Sequence, residues 1–393
     1  MTVPRPHKAG LVAVFAFDRD EPSQVRTIRA IQASGAQVRS LSFHRENMPR
    51  TSPDWQDIPL GRIANGTGPR RLFGLAVGAI RALAKLGQLG RPDILVARNL
   101  DMALLAVLCG MFLRHRPTVI YQCLDVHPVL RGSSLKSRLA REAERFVLSR
   151  ADRVVVSSPE FVSRHLHRLA PAATDFFLME NRILWTGPPP QRATVPDRTP
   201  GPVRLGWVGT LRCPQSFGLL LDVADRMGSE IEIIMRGVVH QHMLPDFSAR
   251  IAQRSNVHYQ GGYTYPQGLA DAYDGLDLAW GQELWDRGGN TDWLLPNRLY
   301  EAGYFGCPLI AISGSRTADR IAADGGGIIL DRADADELAR RVCGLPPGVL
   351  RDMRRQLLAR PEADFCILED ETSSMLDTGS PAPERNRCDA VAA

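Results

Sequence analysis

The sequence predicts an α/β protein made of two Rossmann-like, doubly wound domains that face each other across a cleft. Short apolar runs alternate with helical patterns, the alternation stops at one proline-rich stretch, and it then resumes. A length of 393 residues fits two or three domains, and the single interruption favours two. Ligands of open α/β sheets bind at the carboxyl ends of the strands, so candidate site residues are sought there.

The first domain is predicted to span residues 1–185. Its apolar runs indicate buried strands at 11–17, 38–43, 94–97, 119–122 and 154–157. Helical patterns lie between them at 23–34, 103–114 and 134–150. Consecutive strands joined through helices predict a parallel sheet.

Residues 186–202 contain six prolines and no apolar periodicity, which predicts a linker. The second domain is predicted to span residues 203–369. Its strands are expected at 203–208, 231–235, 257–259, 276–280, 309–312 and 327–330, and its helices at 216–227, 269–273, 296–305 and 334–342. Residues 370–393 are polar, and we expect them to be a disordered tail.

Composition narrows the class of protein. Hydrophobic residues make up 44% and charged residues 23%, as in soluble globular enzymes, and a net charge of +5 is too mild to indicate a nucleic-acid partner. Seven scattered cysteines without a CxxC pair argue against disulfides and zinc. The longest apolar run, 102–113, is shorter than a membrane span, and no signal peptide is evident. We expect a cytoplasmic protein.

The segment 288–312 carries the strongest sequence signal for chemistry. Pro296 suits the start of a helix, whose free N–H groups bind anions such as a diphosphate. Arg298 can pair with phosphate, and Glu301 can accept hydrogen bonds from ribose hydroxyls. The alternative is an ordinary helix in which Glu301 pairs with Arg298 on a solvated face.

Three tryptophans lie around this segment. In a cleft, the rings of Trp280, Trp285 and Trp293 can stack on a base or a sugar. Trp280 ends a predicted strand and is at least as suited to filling the core. Trp293 is the better ligand candidate because it directly precedes the helix start. Asn290 and Asp292 offer polar contacts to sugar hydroxyls.

In the first domain, Asp125 and His127 follow a predicted strand. A carboxylate there can act as general base toward an acceptor hydroxyl, and His127 can contact the donor sugar. The alternative is a turn that Asp125 caps and Pro128 ends. Asp18 and Asp20, after the first strand, compete for the role of base. The acceptor side is predicted to include Arg98, Asn99 and Asp101.

Several segments resemble the glycosyltransferase B-fold (GT-B) enzymes of family 4 and their relatives. The matching segments are SRADRVVVSSPEFVSRHL (149–166), LMENRILW (178–185), VRLGWVGTLRCPQSFGLLLDVA (203–224) and PNRLYEAGYFGCPLIAI (296–312). With GGNTDW before the last of these, the chain is most similar to bacterial exopolysaccharide glucosyltransferases of the succinoglycan type. The resemblance covers most of residues 10–345.

This resemblance implies a hexosyltransferase that uses no cofactor, and the lack of a credible metal-ligand set in the sequence predicts that it is metal-independent. The second domain would bind a nucleotide-sugar, UDP-glucose, and the first a lipid-linked glycan acceptor in exopolysaccharide biosynthesis. Asp125 and His127 are the catalytic candidates. The donor-binding candidates are Gly209, Thr210, Arg212, Arg236, Asn290, Trp293, Pro296, Asn297, Arg298 and Glu301. The succinoglycan-type enzymes imply inversion and family 4 at large implies retention, so both stay open.

The chain departs from the family pattern at two places. The first of two family glutamates is missing, because the position eight residues before Glu301 is Trp293. The usual Arg–Lys pair is altered, because Thr210 follows Gly209 and the expected lysine falls near Gln215. The positive charge for a leaving diphosphate must then come from Arg212, Arg236 and Arg298, in place of a metal ion.

No convincing set of metal ligands is apparent in the sequence. The acidic run at Asp331, Asp334 and Asp336 is typical of a helix start, with Asp334 as its cap.

Cations concentrate in the first domain. Residues 61–92 contain six and no acid: Arg62, Arg70, Arg71, Arg81, Lys85 and Arg91. The apolar pattern over 72–89 then predicts a basic amphipathic helix on the inner face of the plasma membrane, bound peripherally. The alternative is a core helix with a solvated basic edge. Residues 131–153 add seven cations against three acids.

Other functions are weaker. A sugar-nucleotide epimerase of the same fold needs further carboxylates near the donor sugar, and none are evident. A non-catalytic sugar- or nucleotide-binding protein is compatible with the two departures. A nicotinamide dehydrogenase is disfavoured because no GxGxxG follows residues 11–17.

Overall fold

A computed structural model describes residues 10–45, 53–63, 68–192, 201–346 and 348–388. The chain forms two compact units. The first consists of Met1–Glu180 with Leu368–Ala393, and the second of Asn181–Ile367.

The first unit contains a seven-stranded parallel sheet in the order β3-β2-β1-β4-β5-β6-β7. Its strands are β1 (Leu11–Ala16), β2 (Gln37–Arg45), β3 (Gln56–Ile63), β4 (Ile94–Arg98), β5 (Thr118–Cys123), β6 (Arg153–Val156) and β7 (Phe176–Leu178). Its helices are α1 (Pro22–Ala33), α2 (Pro69–Ala84), α3 (Leu86–Leu89), α4 (Asn99–Phe112), α5 (Pro128–Arg131), α6 (Leu135–Leu148) and α7 (Pro159–Arg164). The strand order reverses beside β1, which pairs with both β2 and β4. That is the doubly wound arrangement.

The second unit contains a six-stranded parallel sheet in the order β10-β9-β8-β11-β12-β13. Its strands are β8 (Val203–Leu211), β9 (Ile231–Val239), β10 (Val257–Tyr259), β11 (Leu278–Trp280), β12 (Leu309–Ile312) and β13 (Gly327–Leu330). Its helices are α8 (Pro214–Met227), α9 (Phe247–Ala252), α10 (Leu269–Tyr273), α11 (Asn290–Trp293), α12 (Asn297–Tyr304), α13 (Arg316–Asp324), α14 (Ala335–Cys343) and α15 (Val349–Ala359). The central strands β8 and β11 are mostly buried, as expected of a sheet covered by helices on both faces.

The prediction of two Rossmann-like domains with parallel sheets is confirmed, and every predicted strand is present. Strands β3 and β7 were not predicted from the sequence. The pattern of β3 is interrupted by Pro59 and Gly61. Both residues are tolerated because β3 is an edge strand that pairs with β2 alone.

The expectation of a disordered C-terminal tail is wrong for residues 370–388. Helix α16 (Glu369–Leu376) joins the first unit, where Met375 is buried. Arg153 is fully buried on β6, and its guanidinium donates to the backbone carbonyls of Ser374 and Met375. The side chain of Asn386 donates to the carbonyl of Leu178 over 2.9 Å. These contacts order the segment despite its polar composition. Residues 389–393 of the predicted tail lie outside the described residues.

The second unit also begins earlier than predicted. The amide of Ile183 donates to the carbonyl of Phe365 over 2.8 Å. Arg192, inside the predicted linker, donates to the carbonyls of Tyr304 and Leu357. Residues 181–192 therefore pack with the second unit, and residues 193–200 of the predicted linker lie outside the described residues.

Candidate functional site

Two glycines shape the carboxyl edge of the second sheet. Gly209 on β8 and Gly237 on β9 are paired in register, with φ of 110° and 133°. A β-carbon on Gly237 would lie 1.7 Å from the carbonyl oxygen of Gly209. A β-carbon on Gly209 would lie 3.7 Å from Nη2 of Arg298. The glycines therefore leave bare backbone beside a guanidinium group.

Arg298 lies in the first turn of α12, directly after Pro296 and Asn297. Its side chain is buried, with 8% of the residue exposed. Within the described part of the chain, its Nη1 has no hydrogen-bond partner. A buried guanidinium nitrogen without an acceptor is costly, and an anion would relieve that cost. The predicted helix start and the predicted cation thus coincide in one anion-binding geometry.

Glu301 lies one turn further along α12 and is 4% exposed. The hydroxyl of Tyr273 donates to its Oε2 over 3.3 Å. The alternative of a solvated Glu301–Arg298 pair is wrong, because both side chains are buried. Burial raises the pKa of Tyr273, and the negative charge of Glu301 raises it further.

Tyr263 is a nearby group that the sequence argument missed. Burial raises its pKa, Glu301 adds to the rise, and Arg298 and Arg236 oppose it. The side chains of Tyr263, Glu301, Arg298 and Arg236 are therefore close enough to interact electrostatically. Arg236 also donates from Nη1 to the carbonyl of Asp271 over 3.0 Å, which holds it at the end of β9.

Arg212 is engaged by a carboxylate. Its Nε lies 3.0 and 3.2 Å from the two oxygens of Glu283, which also accepts from Trp285 Nε1 over 2.6 Å. Burial acts to raise the pKa of Glu283, but Arg212 and Arg298 outweigh it and hold the pKa below its usual value.

Glu283 is a second carboxylate at this edge, and the sequence argument did not single it out. It lies eighteen residues before Glu301, whereas the family spacing is eight. Its position three residues after β11 was the available signal.

The loop between β11 and α12 changes the ranking of the tryptophans. Trp280 is fully buried and Trp293 is 9% exposed, whereas Trp285 is 42% exposed. Trp285 therefore offers the accessible ring, contrary to the preference for Trp293.

Asp292 holds the same loop together. Its Oδ1 accepts from Gln282 and pairs with Arg287, and its Oδ2 accepts from the amide of Gly288 over 2.6 Å. We therefore assign Asp292 to loop structure. Asn290 is buried beside it, while Thr210 and Asn297 are half-buried at β8 and α12.

In the first unit, Asp125 and His127 follow the carboxyl end of β5, and both are exposed. The amide of Val129 donates to Nδ1 of His127 over 3.1 Å, so His127 caps α5 and Pro128 begins it. The alternative of a capped turn is therefore correct, but the cap is His127 and not Asp125. An accepting Nδ1 places the imidazole proton of neutral His127 on Nε2.

Asp18, Asp20 and His44 form a group in the described residues whose ligand atoms lie within 4.8 Å of one another. Two arginines already neutralise the acids: Arg45 Nε lies 3.4 Å from Asp18, and Arg19 Nε lies 3.4 Å from Asp20. Burial is the main cause of the raised pKa of Asp18. The sequence points to both aspartates but does not indicate that His44 joins them.

The predicted acceptor-side residues are tied to neighbours. Arg98 pairs with Glu21 at 3.3 Å, and Asp101 pairs with Arg71. Asn99 has a φ of 66°, an uncommon value for a residue other than glycine.

In the second unit, Asp334 caps α14 by accepting from the amide of Glu337 over 2.8 Å. The helix-start interpretation of this acidic run is confirmed.

Helix α2 exposes its large apolar side chains. Leu72, Phe73 and Ile80 are 62, 72 and 69% exposed. The helix packs inward through small residues, and a β-carbon on Gly78 would lie 2.2 Å from the ring of Phe43. The core-helix alternative is wrong for this apolar stripe. Arg81 and Lys85 instead donate to backbone carbonyls of β3.

No helix among the described residues is long and apolar enough to cross a bilayer.

Comparisons with known proteins agree with this architecture. Residues 22–175 match the family model of the glycosyl transferase 4-like domain. The succinoglycan biosynthesis protein ExoL of Rhizobium meliloti is 29% identical over 351 residues, which are 88% of this chain and 87% of that protein.

Two solved structures share the fold. Sucrose-phosphate synthase from Thermosynechococcus elongatus aligns over 94% of this chain and 97% of its own, with a TM-score of 0.67 and 15% identity. Anabaena HepE in complex with UDP and glucose aligns over 88% and 93%, with a TM-score of 0.61 and 12% identity.

The chain has the GT-B fold, and its residues 22–175 match a glycosyl transferase 4-like domain. Along most of its length the chain is similar to a succinoglycan biosynthesis protein.

Proposed function

We propose that the protein transfers glucose from UDP-glucose to a lipid-linked oligosaccharide in exopolysaccharide biosynthesis. Similarity to ExoL, a succinoglycan biosynthesis protein, supports the pathway class. A HepE structure of the same fold in complex with UDP-glucose supports the donor. The observation that carries the proposal is the buried Nη1 of Arg298, which has no hydrogen-bond acceptor within the described residues.

In this proposal the second unit binds the donor. The amino end of α12 and Arg298 hold the diphosphate, and Arg236 adds positive charge from the end of β9. Glu301 accepts hydrogen bonds from the ribose hydroxyls. Trp285 offers an exposed ring for stacking on a base or sugar. Arg212 becomes available to phosphate only when it leaves Glu283.

The first unit binds the acceptor, and its residues carry the proton transfer in an inverting reaction. The acceptor hydroxyl gives its proton to Asp125 as its oxygen attacks C1 of the sugar. The bond from C1 to the diphosphate breaks, and its electron pair leaves with the UDP. Arg298 and Arg236 stabilise that charge without a divalent metal. In this proposal His127 donates a hydrogen bond from its Nε2–H to a sugar oxygen.

The protein is proposed to act at the cytoplasmic face of the plasma membrane, attached peripherally. Exposed Leu72, Phe73 and Ile80 would enter the headgroup boundary, and Arg62 and Arg70 are exposed cations on the same segment. Flotation with phosphatidylglycerol vesicles at low salt tests this. Leu72→Ser with Phe73→Ser should weaken binding while UDP affinity stays unchanged, and unchanged flotation refutes attachment through α2.

The activity itself is tested with a panel of radiolabelled sugar nucleotides and membrane lipid extract. We expect label from UDP-glucose in the lipid fraction, and strongly reduced transfer by Arg298→Gln. Arg226→Gln, an exposed arginine on α8, is the matched control and should transfer normally. If the lipid fraction takes up label from another sugar nucleotide, the proposed donor is wrong. If a protein that binds UDP transfers label from none of the sugar nucleotides, the assignment as an enzyme is refuted. The anomeric configuration of the product distinguishes inversion from retention.

A further inference from the structure

Helix α6 in the first unit carries a second exposed apolar stripe. Leu135, Leu139 and Phe146 recur on one helical face and are 72, 63 and 39% exposed. The opposite face is buried and includes Glu144, which accepts from the Tyr121 hydroxyl and contacts His165 at 2.6 Å. Buried Glu144, Val147 and Leu148 therefore fasten α6 to the domain. The stripe of Leu135, Leu139 and Phe146 faces outward. Lys136, Arg138 and Arg145 are exposed on the same helix.

A basic groove adjoins the carboxyl end of this stripe. It has a volume of about 590 Å³ and lies between the ends of α4 and α6 and the start of β5. Its lining includes exposed Arg114, Arg116 and Arg150 together with apolar Met111, which is 56% exposed. The guanidinium of Arg150 lies 5.4 Å from the ring of Phe146, which joins the groove to the stripe.

The charge in this groove is mostly uncompensated by the domain itself. Arg116 pairs with Asp152 at 2.9 Å, and its side chain is still 82% exposed. None of the described residues that line the groove is acidic. Cations above an apolar floor fit a phosphate attached to acyl chains. A soluble anion would use the arginines but leave Leu135, Leu139 and Phe146 in water.

We infer that α6 and this groove form a lipid-contact surface that binds the phosphate headgroup of an anionic phospholipid. The inference rests on the proposed peripheral attachment, and it adds a different helix and a headgroup site. Helix α4 packs against both α2 and α6, so the two stripes flank one helix on the same side of the sheet. The groove lies at the start of β5 and Asp125 follows its end, so a bound headgroup leaves the candidate base unoccupied.

The test compares three variants of the full chain. The groove variant combines Arg114→Gln, Arg116→Gln and Arg150→Gln, and the stripe variant combines Leu135→Ser and Leu139→Ser. The control combines Arg332→Gln, Arg340→Gln and Arg355→Gln, which are exposed on the second unit. Flotation uses phosphatidylcholine vesicles with and without phosphatidylglycerol, thermal melting checks folding, and calorimetry measures UDP affinity.

The groove variant should bind phosphatidylglycerol vesicles at least about tenfold more weakly, because three cations near an anionic surface are lost. The stripe variant should also lose vesicle binding, because apolar insertion is lost at unchanged charge. The control should bind like the unaltered protein, and all three should keep their UDP affinity.

Vesicle binding by the folded groove variant equal to that of the unaltered protein overturns the inference. If millimolar inorganic phosphate releases the protein fully from the vesicles and the stripe variant binds them normally, the groove is a site for simple anions. That result also overturns the inference. A dimer in solution that the stripe variant converts to monomer, with lipid binding intact, makes the stripe a self-association surface. If the unaltered protein does not bind UDP while the lipid results are as expected, the proposed function is refuted and this inference still holds.

Discussion

The Nε of Arg212 lies 3.0 Å from Oε1 of Glu283, so a cation predicted to hold a diphosphate is held by a carboxylate instead. Because Arg298 also contributes to the low pKa of Glu283, the carboxylate competes with an incoming diphosphate for two arginines. The site therefore carries a built-in negative charge where the product's phosphates are proposed to sit.

Glu283→Gln should strengthen UDP binding by about twofold to fivefold, the effect of losing one partly exposed charge interaction of roughly 0.5–1 kcal/mol. Calorimetry with UDP at low salt measures it. Weaker UDP binding by the folded variant would show that Glu283 supports the site instead of competing with the ligand.

The same substitution should remove a contribution to stability that depends on pH. The folded-state pKa of Glu283 is lowered, so its ion pairs contribute stability above the ordinary carboxyl pKa of about 4.3 and lose it as pH falls. The difference in Tm between Glu283→Gln and the unaltered protein should be present at neutral pH and shrink in acid. A difference that is constant across this range contradicts the low pKa.

Glu301→Ala should weaken UDP-glucose binding roughly tenfold to hundredfold, because hydrogen bonds to a charged group contribute about 1.5–3 kcal/mol. Calorimetry measures the affinity, and thermal melting checks the fold. Glu232→Ala on β9, where the side chain is 37% exposed, is the control and should bind normally. Unchanged nucleotide affinity with full activity removes Glu301 from the site.

Gly237→Ala should destabilise the protein by about 2 kcal/mol or more and lower nucleotide affinity. Its φ of 133° disfavours a side chain, and the new β-carbon would lie 1.7 Å from the Gly209 carbonyl oxygen. Gly218→Ala on α8 is the matched control, since nothing lies within 4 Å of a β-carbon there. Urea unfolding of both variants measures the contrast, and equal stabilities would contradict the close approach of the strands.

Asp125→Asn should lower kcat by about a hundredfold or more with little change in KM, if the product anomer is inverted. His127→Ala should also destabilise α5, by about 0.5–1 kcal/mol, because it removes the cap on the Val129 amide. Steady-state kinetics and thermal melting separate the two effects. Full activity of Asp125→Asn in an inverting reaction would move the search for the base to Asp18 and Asp20.

Transfer should persist after dialysis against EDTA, because Arg298 and Arg236 are proposed to supply the charge that a divalent metal would otherwise provide. Activity lost with EDTA and restored by magnesium or manganese refutes metal independence. The group of Asp18, Asp20 and His44 is then the first place to substitute.

The sequence by itself determined the two parallel sheets and the helix that begins after Pro296. It also pointed to Arg298 and Glu301, which the structure finds buried on that helix. These follow from local signals: apolar runs, a proline at a helix start, and a family motif contained within seventeen residues. The bounds of β10, β12 and β13 match the prediction residue for residue. Edge strand β3 was not predicted because Pro59 and Gly61 interrupt its apolar pattern. An edge strand tolerates both residues, but its position at the edge is not visible in the sequence.

Only the tertiary structure decided what depends on residues distant in sequence. Glu283 reaches Arg212 because β11 and β8 are neighbours in the sheet, a pairing that no local spacing encodes. Trp293 is buried and Trp285 exposed because Asp292 draws their loop together. The tail is ordered because buried Arg153 needs acceptors that residues 374–380 provide. Helix α2 exposes its apolar stripe because small residues, Gly78 and Ala82, are the ones buried on its inward face. Helix α6 exposes its stripe because its other face, with Glu144, Val147 and Leu148, already packs on the domain. Hydrophobicity alone would bury those stripes, and only the packing reveals which face is outward.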